Sequence, residues 1–173
     1  MLFRSSILWA SSYLAGERGF SAQRAAASAA VLYVGITVGR FVSGFIADKV
    51  GDRGMIRLGT GVIAAALAVL ALPGGGELGA LLGLGLLGLG NAPVYPAIIH
   101  ATPANFGEEN SQGIIGMQMA SAYVGSTFIP PLFGLIADRA GLQWMPLFLA
   151  LFLALMISMT EATFRRVARV KAE

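Results

Sequence analysis

Five stretches of this sequence are long enough and apolar enough to cross a lipid bilayer. They cover about residues 25–46, 55–72, 78–101, 111–137 and 142–160, and Arg40 is the one charged residue well inside them. A membrane-spanning helix needs roughly 20 mostly apolar residues, because the hydrocarbon core of a bilayer is about 30 Å thick. The connections between the stretches are too short to hold a soluble domain. The pattern therefore predicts an all-α membrane protein with five full transmembrane helices.

A sixth apolar run, about residues 5–15, is shorter and follows Arg4. We interpret it as a truncated first helix. The alternative is a signal peptide, because one basic residue precedes the run and small residues follow it. The five spans that come next, with no soluble domain to export, favour the truncated helix.

Composition agrees with a lipid environment and excludes several kinds of site. Only 12% of the residues are charged and 56% are apolar, whereas a soluble domain usually has about 25% charged residues. The absence of cysteine excludes disulfides and thiolate metal sites. The single histidine, His100, cannot form a histidine metal site alone. We therefore expect no metal and no cofactor, and the basic residues, which fall at helix ends, do not indicate nucleic-acid binding.

The distribution of basic residues predicts the orientation in the membrane. If the spans alternate in direction, one side carries seven Lys and Arg residues and the other carries three. The first set is Lys49, Arg53, Arg57, Arg165, Arg166, Arg169 and Lys171, and the second is Arg18, Arg24 and Arg139. Positive charge favours the cytoplasmic side. We expect a plasma (inner) membrane protein whose basic tail, residues 161–173, is cytoplasmic.

One stretch of the sequence occurs twice. Residues 33–51, YVGITVGRFVSGFIADKVG, align without gaps to residues 123–141, YVGSTFIPPLFGLIADRAG, and nine of the nineteen positions are identical. The copies lie three spans apart, in the first and the fourth of the five stretches, so they should cross the membrane in opposite directions. This pattern predicts an inverted repeat of a three-helix unit, a construction that is common in secondary transporters.

The first copy carries a motif that resembles a known family. Residues 44–53, GFIADKVGDR, resemble the G-x-x-x-D-[RK]-x-G-[RK] loop signature of the major facilitator superfamily, in which this loop joins the second and third helices of each six-helix half. Residues 90–141 are similar to the tenth and eleventh helices of the sugar-permease branch that includes fucose permeases. Residues 9–21, WASSYLAGERGFS, look like the end of the seventh helix.

The resemblance implies the C-terminal half of a transporter, with a shortened first helix and without the N-terminal half. It implies solute transport by alternating access, with a sugar or another small polar solute as substrate. Its partners would be the lipid bilayer, the solute, and the missing half or a second copy of this chain. Two alternatives are a drug-efflux carrier of the same superfamily and a fragment that does not transport. An enzyme is not expected, because the sequence contains no Ser/His/Asp set and no paired intramembrane carboxylates.

The resemblance also implies a conformational latch in the loop. Its residues are Gly44, Asp48, Lys49, Gly51 and Arg53. A carboxylate at a helix end can bind a nearby Arg or Lys and the positive N-terminus of a facing helix, and Gly44 would let that helix pack closely. The alternative is a simple turn with positive charges on the cytoplasmic side.

A polar stripe leads up to this loop. Tyr33, Thr37, Arg40, Gly44 and Asp48 recur at helical spacing and therefore share one face. Polar residues within a span face protein or a water-filled cavity rather than lipid. We therefore place Tyr33, Thr37 and Arg40 among the residues of the solute pathway. A structural ion pair, or an arginine that reaches to the interface, is the alternative for Arg40.

Three further residues are candidates for the pathway. Asn91 and Tyr95 lie one turn apart in a span that Pro93 and Pro96 interrupt, and interrupted helices commonly line substrate sites. Gln118 lies in the next span. Neutral amides and a phenol suit a hydroxyl-rich ligand, because these groups both donate and accept hydrogen bonds. The alternative for each is a hydrogen bond between helices.

The remaining patterns predict packing. Gly83, Gly85 and Gly88 have the spacing of a dinucleotide-binding fingerprint, but they lie in an uncharged span. They predict close helix contacts instead, as do the pairs Gly35/Gly39 and Gly79/Gly83. The spans 55–72 and 142–160 are apolar on every face and should face lipid. His100 is expected to cap a helix at the interface. A stacking wall for the solute is possible at Trp9, Ser12 and Tyr13.

Overall fold

Helices account for nearly all of the described chain, which comprises residues 2–17, 19–72 and 76–170 of the computed structural model, without the side chains at positions 2–8, 17 and 29. The helices are α1 (Leu2–Glu17), α2 (Ala22–Ala71), α3 (Gly76–Phe106), α4 (Glu108–Ala140) and α5 (Met145–Val170), with a 3-10 turn at Leu142–Trp144. These ranges contain no strand, so the predicted all-α class is confirmed.

Four helical segments are long and apolar enough to cross a membrane: α2, α3, α4 and Leu142–Val170. The predicted spans 25–46 and 55–72 both lie in α2, and the short run 5–15 lies in α1. The spans 78–101, 111–137 and 142–160 lie in α3, α4 and the last segment. The basic tail continues α5 as helix to Val170. Arg18 and Lys171, which entered the charge distribution, lie outside the described residues, and the number of crossings stays a prediction.

The long helix α2 is bent at Gly51. This residue has φ 70° and ψ 165°, a conformation outside the helical region. Residues with a side chain rarely adopt positive φ, whereas glycine does so at little cost. Gly51 therefore divides α2 into a first arm (residues 22–50) and a second arm (residues 52–71). The loop whose signature covers residues 44–53 is thus reduced to one non-helical residue, Gly51.

The first arm of α2 meets α3 backbone to backbone. Gly35 lies against the carbonyl of Gly85, and a methyl group placed on Gly39 would lie 2.7 Å from Cβ of Ala92. Gly88 of α3 lies against the carbonyl of Leu32. Residue numbers rise together along the two helices, so the first arm and α3 run parallel. The close packing predicted for Gly35, Gly39 and Gly88 is present.

The second arm packs on another side of α3 and runs the opposite way. A methyl group on Gly90 would lie 2.8 Å from the carbonyl oxygen of Gly59, and one on Gly83 would lie 2.6 Å from Cγ of Leu70. Here residue numbers fall along one helix as they rise along the other. The two arms of α2 are therefore antiparallel, and α3 is wedged between them.

Two glycines do not pack as expected. A methyl group on Gly44 or on Gly79 would meet nothing within 4 Å. Gly79 therefore belongs to no close helix pair in the described structure, and that prediction is wrong. Gly44 lies on an exposed part of the first arm, so close packing there would need a partner outside the described residues.

Contacts between distant segments define the two ends of the bundle. At the end near Gly51, which we call the motif end, Asp52 lies beside His100 and Arg57 beside Glu161. The other end contains Tyr13, whose hydroxyl donates to the carbonyl of Leu70 at 3.0 Å. The loop and the C-terminal part of α5, which the charge distribution assigned to one side of the membrane, thus lie at the same end.

The fourth helix runs away from the motif end. Gln118 in its first half hydrogen-bonds Thr102, which belongs to the motif end of α3, and Pro130 in its second half lies against Trp9 of α1. The copy of the repeat that ends at Asp138 therefore runs opposite to the copy that ends at Asp48. An inverted repeat requires this orientation, while the duplication itself stays a prediction.

The larger of the two buried apolar clusters in the described chain reaches the end opposite the motif. Its fully buried side chains include Leu14, Leu70, Leu84, Phe133 and Leu149. The Nε1 group of Trp9 donates to the carbonyl of Pro130 at 3.1 Å, and the Trp9 ring packs edge-on against Phe133. Trp9 and Tyr13 therefore join α1 to its neighbours, and the stacking wall suggested for the solute is not formed.

Candidate functional site

A cavity of about 590 Å³ lies between the first arm of α2, α3 and α5, and it carries three of the predicted pathway residues. Its volume is within the range of about 300–1,000 Å³ that is typical of small-molecule sites. The polar residues that line it are Arg40, Asn91 and Tyr95, and the apolar ones are Ile36, Ala92, Val94, Pro96, Ile98, Phe152, Leu155, Met156 and Met159.

The helix spacing of α3 brings Asn91 and Tyr95 to this cavity. They are four residues apart, so they lie on the same face one turn from each other. Nδ2 of Asn91 donates to the carbonyl of Leu87 at 2.8 Å, which fixes the amide and leaves its oxygen directed away from that bond. Neither this oxygen nor the Tyr95 hydroxyl has a hydrogen-bond partner among the described residues. Both are therefore available to a ligand.

Arg40 has no carboxylate beside it. The ion pairs among the described residues are Arg57 with Glu161 and, when the imidazole is protonated, His100 with Asp52, and neither involves Arg40. The structure therefore does not provide the structural ion pair that was one explanation for this residue. Arg40 also lines a second cavity, of about 660 Å³, toward the motif end. Arg40 thus lies at the boundary between two spaces.

The second cavity contains most of the latch loop. Besides Arg40 it is lined by Gly44, Asp48, Gly51 and His100, together with Ser43, Ala47, Asp52, Met55, Pro93, Pro96 and Ala97. His100 is therefore not a simple helix cap, because its Nδ1 atom lies 3.0 Å from both carboxylate oxygens of Asp52. This contact ties the loop to α3.

The other loop residues differ in whether they contact another part of the chain. The guanidinium of Arg53 lies 4.8 Å from the ring centre of Phe164, a distance at which a cation and an aromatic face attract each other. Asp48 and Lys49 are exposed and form no hydrogen bond or ion pair in the part of the chain that the structure describes. Within this chain the loop is held by Asp52 and Arg53, and Asp48 and Lys49 remain available for a partner.

The structure does not bring Tyr33 and Thr37 to the cavity. Both are exposed on the first arm, and the Thr37 hydroxyl donates to the carbonyl of Tyr33 at 3.0 Å. They share a face with Arg40, Gly44 and Asp48, as their spacing predicts, but this face points out of the described bundle. Their place in a solute pathway stays a prediction that requires a second surface opposite them.

Gln118 is joined to α3 instead of lying in the large cavity. Its Nε2 group donates to Oγ1 of Thr102 at 3.2 Å, and Thr102 is 1% exposed. The pair borders a smaller space of about 230 Å³. Of the two roles considered for Gln118, the hydrogen bond between helices is the one that the structure contains.

Sequence reasoning missed the apolar wall of the cavity. Phe152, Leu155, Met156 and Met159 of α5 lie opposite Arg40 and Asn91. The 142–160 span was expected to face lipid on the outside of the bundle, and the exposed side chains of Leu147 and Leu151 are compatible with this. Two other faces are occupied, because one borders the cavity and another, including Met145 and Leu149, is buried. The helical spacing of Phe152, Met156 and Met159 was the available signal, but it is also the spacing of ordinary packing residues.

Comparison with known proteins identifies the family. The model of the Major Facilitator Superfamily matches residues 1–172. Neither the curated proteins nor the solved structures contain a match. Proteins of this superfamily are multi-pass membrane transporters rather than enzymes, in agreement with the apolar helices and with the loop signature. With almost its whole length matched by this family, the chain belongs to the Major Facilitator Superfamily of secondary transporters.

Proposed function

We propose that this chain forms one side of an alternating-access pathway for a small polar solute, with a sugar as the preferred class. The observation that carries the proposal is the convergence of Arg40, Asn91 and Tyr95 on one cavity of about 590 Å³. Inside the described chain, no hydrogen bond or ion pair is formed by the Arg40 guanidinium, the Asn91 amide oxygen or the Tyr95 hydroxyl. They therefore offer both donors and an acceptor to a solute.

The chemistry of these groups suits a hydroxyl-rich solute. A guanidinium donates several hydrogen bonds in a fixed planar pattern, an amide oxygen accepts, and a phenol does both. The hydroxyl groups around the edge of a pyranose ring both donate and accept hydrogen bonds, so they need donors and acceptors in the site. The apolar side chains of α5 complete the site, because the C–H faces of a sugar ring pack against apolar surface.

We further propose that a second six-helix half completes the pathway. The first arm of α2 exposes the stripe formed by Tyr33, Thr37, Arg40, Gly44 and Asp48, and polar groups in a membrane helix are costly against lipid. A facing half would cover the stripe and give Asp48 and Lys49 the partner that a latch requires. This half is either another part of a longer chain or a second copy of this one.

The distribution of Lys and Arg residues supports an orientation in the inner membrane with the motif end in the cytoplasm. The latch would then close the cytoplasmic side when the pathway opens outward. Rocking of the two halves about the cavity would expose Arg40, Asn91 and Tyr95 to each side in turn.

A second candidate function is the export of amphipathic organic molecules, as in drug-efflux carriers. The apolar wall of Phe152, Leu155, Met156 and Met159 favours it, because adaptable methionine side chains accept ligands of different shapes. Arg40 makes a neutral or anionic molecule a better fit than a cation. The two candidates differ in what the polar residues should contribute, since a sugar depends on them more strongly.

Transport by purified protein in liposomes tests the proposal. We would measure uptake of radiolabelled hexoses and pentoses, and of a lipophilic dye, by the wild type, by Arg40→Gln and Asn91→Ala, and by Arg139→Gln as a control at a charge away from the cavity. Loss of a hydrogen bond to a charged group lowers affinity by about 10–100-fold. We expect saturable sugar uptake that Arg40→Gln and Asn91→Ala reduce and Arg139→Gln does not.

Other results would lead to different conclusions. Dye transport without sugar transport would establish the efflux candidate. Equal sugar uptake by the wild type and by Arg40→Gln would remove Arg40 from the site. If the reconstituted chain moves none of these solutes, even when the protein is folded, the alternative of a non-transporting fragment is supported.

A further inference from the structure

The last turns of α5 carry a group of arginines on one side. Arg165, Arg166 and Arg169 are exposed, and together with Ser158, Glu161 and Ala162 they line an open depression of about 370 Å³. Successive residues of a helix are separated by 100°, so these six positions fall within less than half of the helix circumference. We call this surface the arginine face.

The opposite side of the same turns is fixed by packing. Phe164 is 6% exposed and Val167 is 8% exposed, and Phe164 packs with Met55, Ile56 and Ala97 in a small cluster at the motif end. Because the buried side holds the helix against its neighbours, the arginine face is held outward in a constant orientation.

The described residues around the arginine face supply too few carboxylates to neutralise it. Glu161 is the one acidic residue that lines the depression, and both of its carboxylate oxygens already bind Arg57, at 2.7 and 2.9 Å. In the described ranges no other carboxylate lies within ion-pair distance of Arg165, Arg166 or Arg169. Arg165 shares the field of Glu161 with Arg57, so the one carboxylate of the depression serves several guanidinium groups and the arginine face keeps an excess of positive charge.

Along α5 these arginines lie at the outer edge of the headgroup layer of a bilayer and just beyond it. The apolar run ends near residue 160, and at 1.5 Å per residue Arg165 lies about 8 Å beyond it and Arg169 about 14 Å beyond it. The polar layer on each side of the hydrocarbon core is roughly 5–8 Å thick. Arginine side chains are long enough to reach back toward this layer from the nearby aqueous side.

From this placement we propose that the arginine face is a binding site for the phosphate groups of anionic phospholipids. A guanidinium binds a phosphate through two parallel hydrogen bonds, which makes arginine well suited to this ligand. Clusters of basic residues directly beyond a membrane span are attracted to anionic lipid headgroups. The proposal concerns a surface outside the solute cavity, and it does not depend on which solute is transported.

Lipid retention by the purified protein tests the proposal. We would titrate the full chain in detergent with phosphatidylglycerol, phosphatidylcholine or inorganic phosphate, and measure bound lipid by native mass spectrometry and the midpoint of thermal unfolding. The test variant combines Arg165→Gln, Arg166→Gln and Arg169→Gln. A control combines Arg24→Gln with Arg139→Gln, two exposed arginines elsewhere in the chain.

We expect the wild type and the control to retain phosphatidylglycerol at least fivefold better than phosphatidylcholine, and the test variant to lose this preference. The preference should also weaken as salt increases, because it is electrostatic. A variant with lysine at the same three positions keeps the charge and serves as a check on folding, and it should retain most of the preference.

Three results would overturn the proposal. The first is an undiminished preference in the glutamine variant when its helical content is unchanged. The second is equal retention of phosphatidylcholine and phosphatidylglycerol by the wild type. The third is an equal rise in thermal midpoint with inorganic phosphate at the same concentration, which would identify a site for free anions rather than for lipid.

Discussion

Arg57 binds Glu161 through two hydrogen bonds, at 2.7 Å from Nε and 2.9 Å from Nη2, and so joins the second arm of α2 to α5. The two residues are 104 positions apart in the sequence. A planar guanidinium that meets both oxygens of a carboxylate is held in one geometry. This ion pair, together with the contact of Arg53 with Phe164, fixes the C-terminal part of α5 beside the loop motif.

We predict that Arg57→Gln and Glu161→Gln each lower the thermal midpoint of unfolding by a small amount, and that the double variant loses less than the sum. Partners of one ion pair are coupled in this way. Thermal unfolding in detergent measures the effect. Charge reversal, with Arg57→Glu and Glu161→Arg together, should restore part of the loss. Additive losses in the double variant would show that the pair does not contribute to stability as a unit.

A second prediction concerns the contact between α3 and the first arm of α2. Gly88→Ala should destabilise the protein by about 1–3 kcal/mol, because the added methyl group meets the backbone of Leu32 and one of the helices must move. Thermal or denaturant unfolding measures the change. Gly79→Ala in the same helix is the matched control, since its methyl group meets nothing within 4 Å. That control should be neutral or slightly stabilising, and equal losses in both variants would contradict the packing argument.

The bond between Gln118 and Thr102 gives a third prediction. Gln118→Ala and Thr102→Ala should each cost about 0.5–2 kcal/mol, the range found for hydrogen bonds between membrane helices, and the double variant should cost little more than either. Solute affinity should not change, because the pair lies outside the large cavity. If Gln118→Ala lowered solute affinity without loss of stability, Gln118 would instead be a residue of the solute pathway.

The orientation in the membrane can be measured directly, because the natural sequence has no cysteine. Single cysteines at Lys49 and Ala168 would report on the motif end, and one at Arg139 would report on the opposite end. We predict that a membrane-impermeant maleimide added to intact cells labels the Arg139→Cys variant but not Lys49→Cys or Ala168→Cys. Labelling after lysis is the control for reactivity. The opposite pattern would reverse the predicted topology, and equal labelling of all three would indicate mixed insertion.

Local patterns in the sequence predicted the helices and part of the candidate site. Length and apolarity located the helices, and the repeated motif located the bend, because glycine is the residue that a positive φ demands at position 51. Arg40, Asn91 and Tyr95 were found because a polar side chain within an apolar run is expensive unless it has a role. Each of these inferences depends on neighbours in the sequence or on one residue alone.

Other features depend on pairs of residues that only the fold brings together. In the sequence, Glu161 and Arg57 are ordinary charges near the ends of predicted spans, and only the packing of α5 beside α2 makes them a pair. Gln118 had the same signal as Asn91, and only the position of Thr102 separates their roles. The apolar wall of α5 was missed for a related reason, because methionine and phenylalanine have the same spacing whether they face lipid, core or cavity.

The wedge of α3 between the two arms of α2 has a consequence for selectivity. Where backbones touch at Gly35, Gly88 and Gly90, no flexible side chain lies between the helices to absorb a displacement. We therefore expect the three helical segments to move together, so that the backbones at Arg40 and Asn91 keep their separation. If the cavity binds the solute as proposed, its polar wall would select solutes by size, and the α5 wall, built from long side chains, would be the wall that adjusts to what is bound.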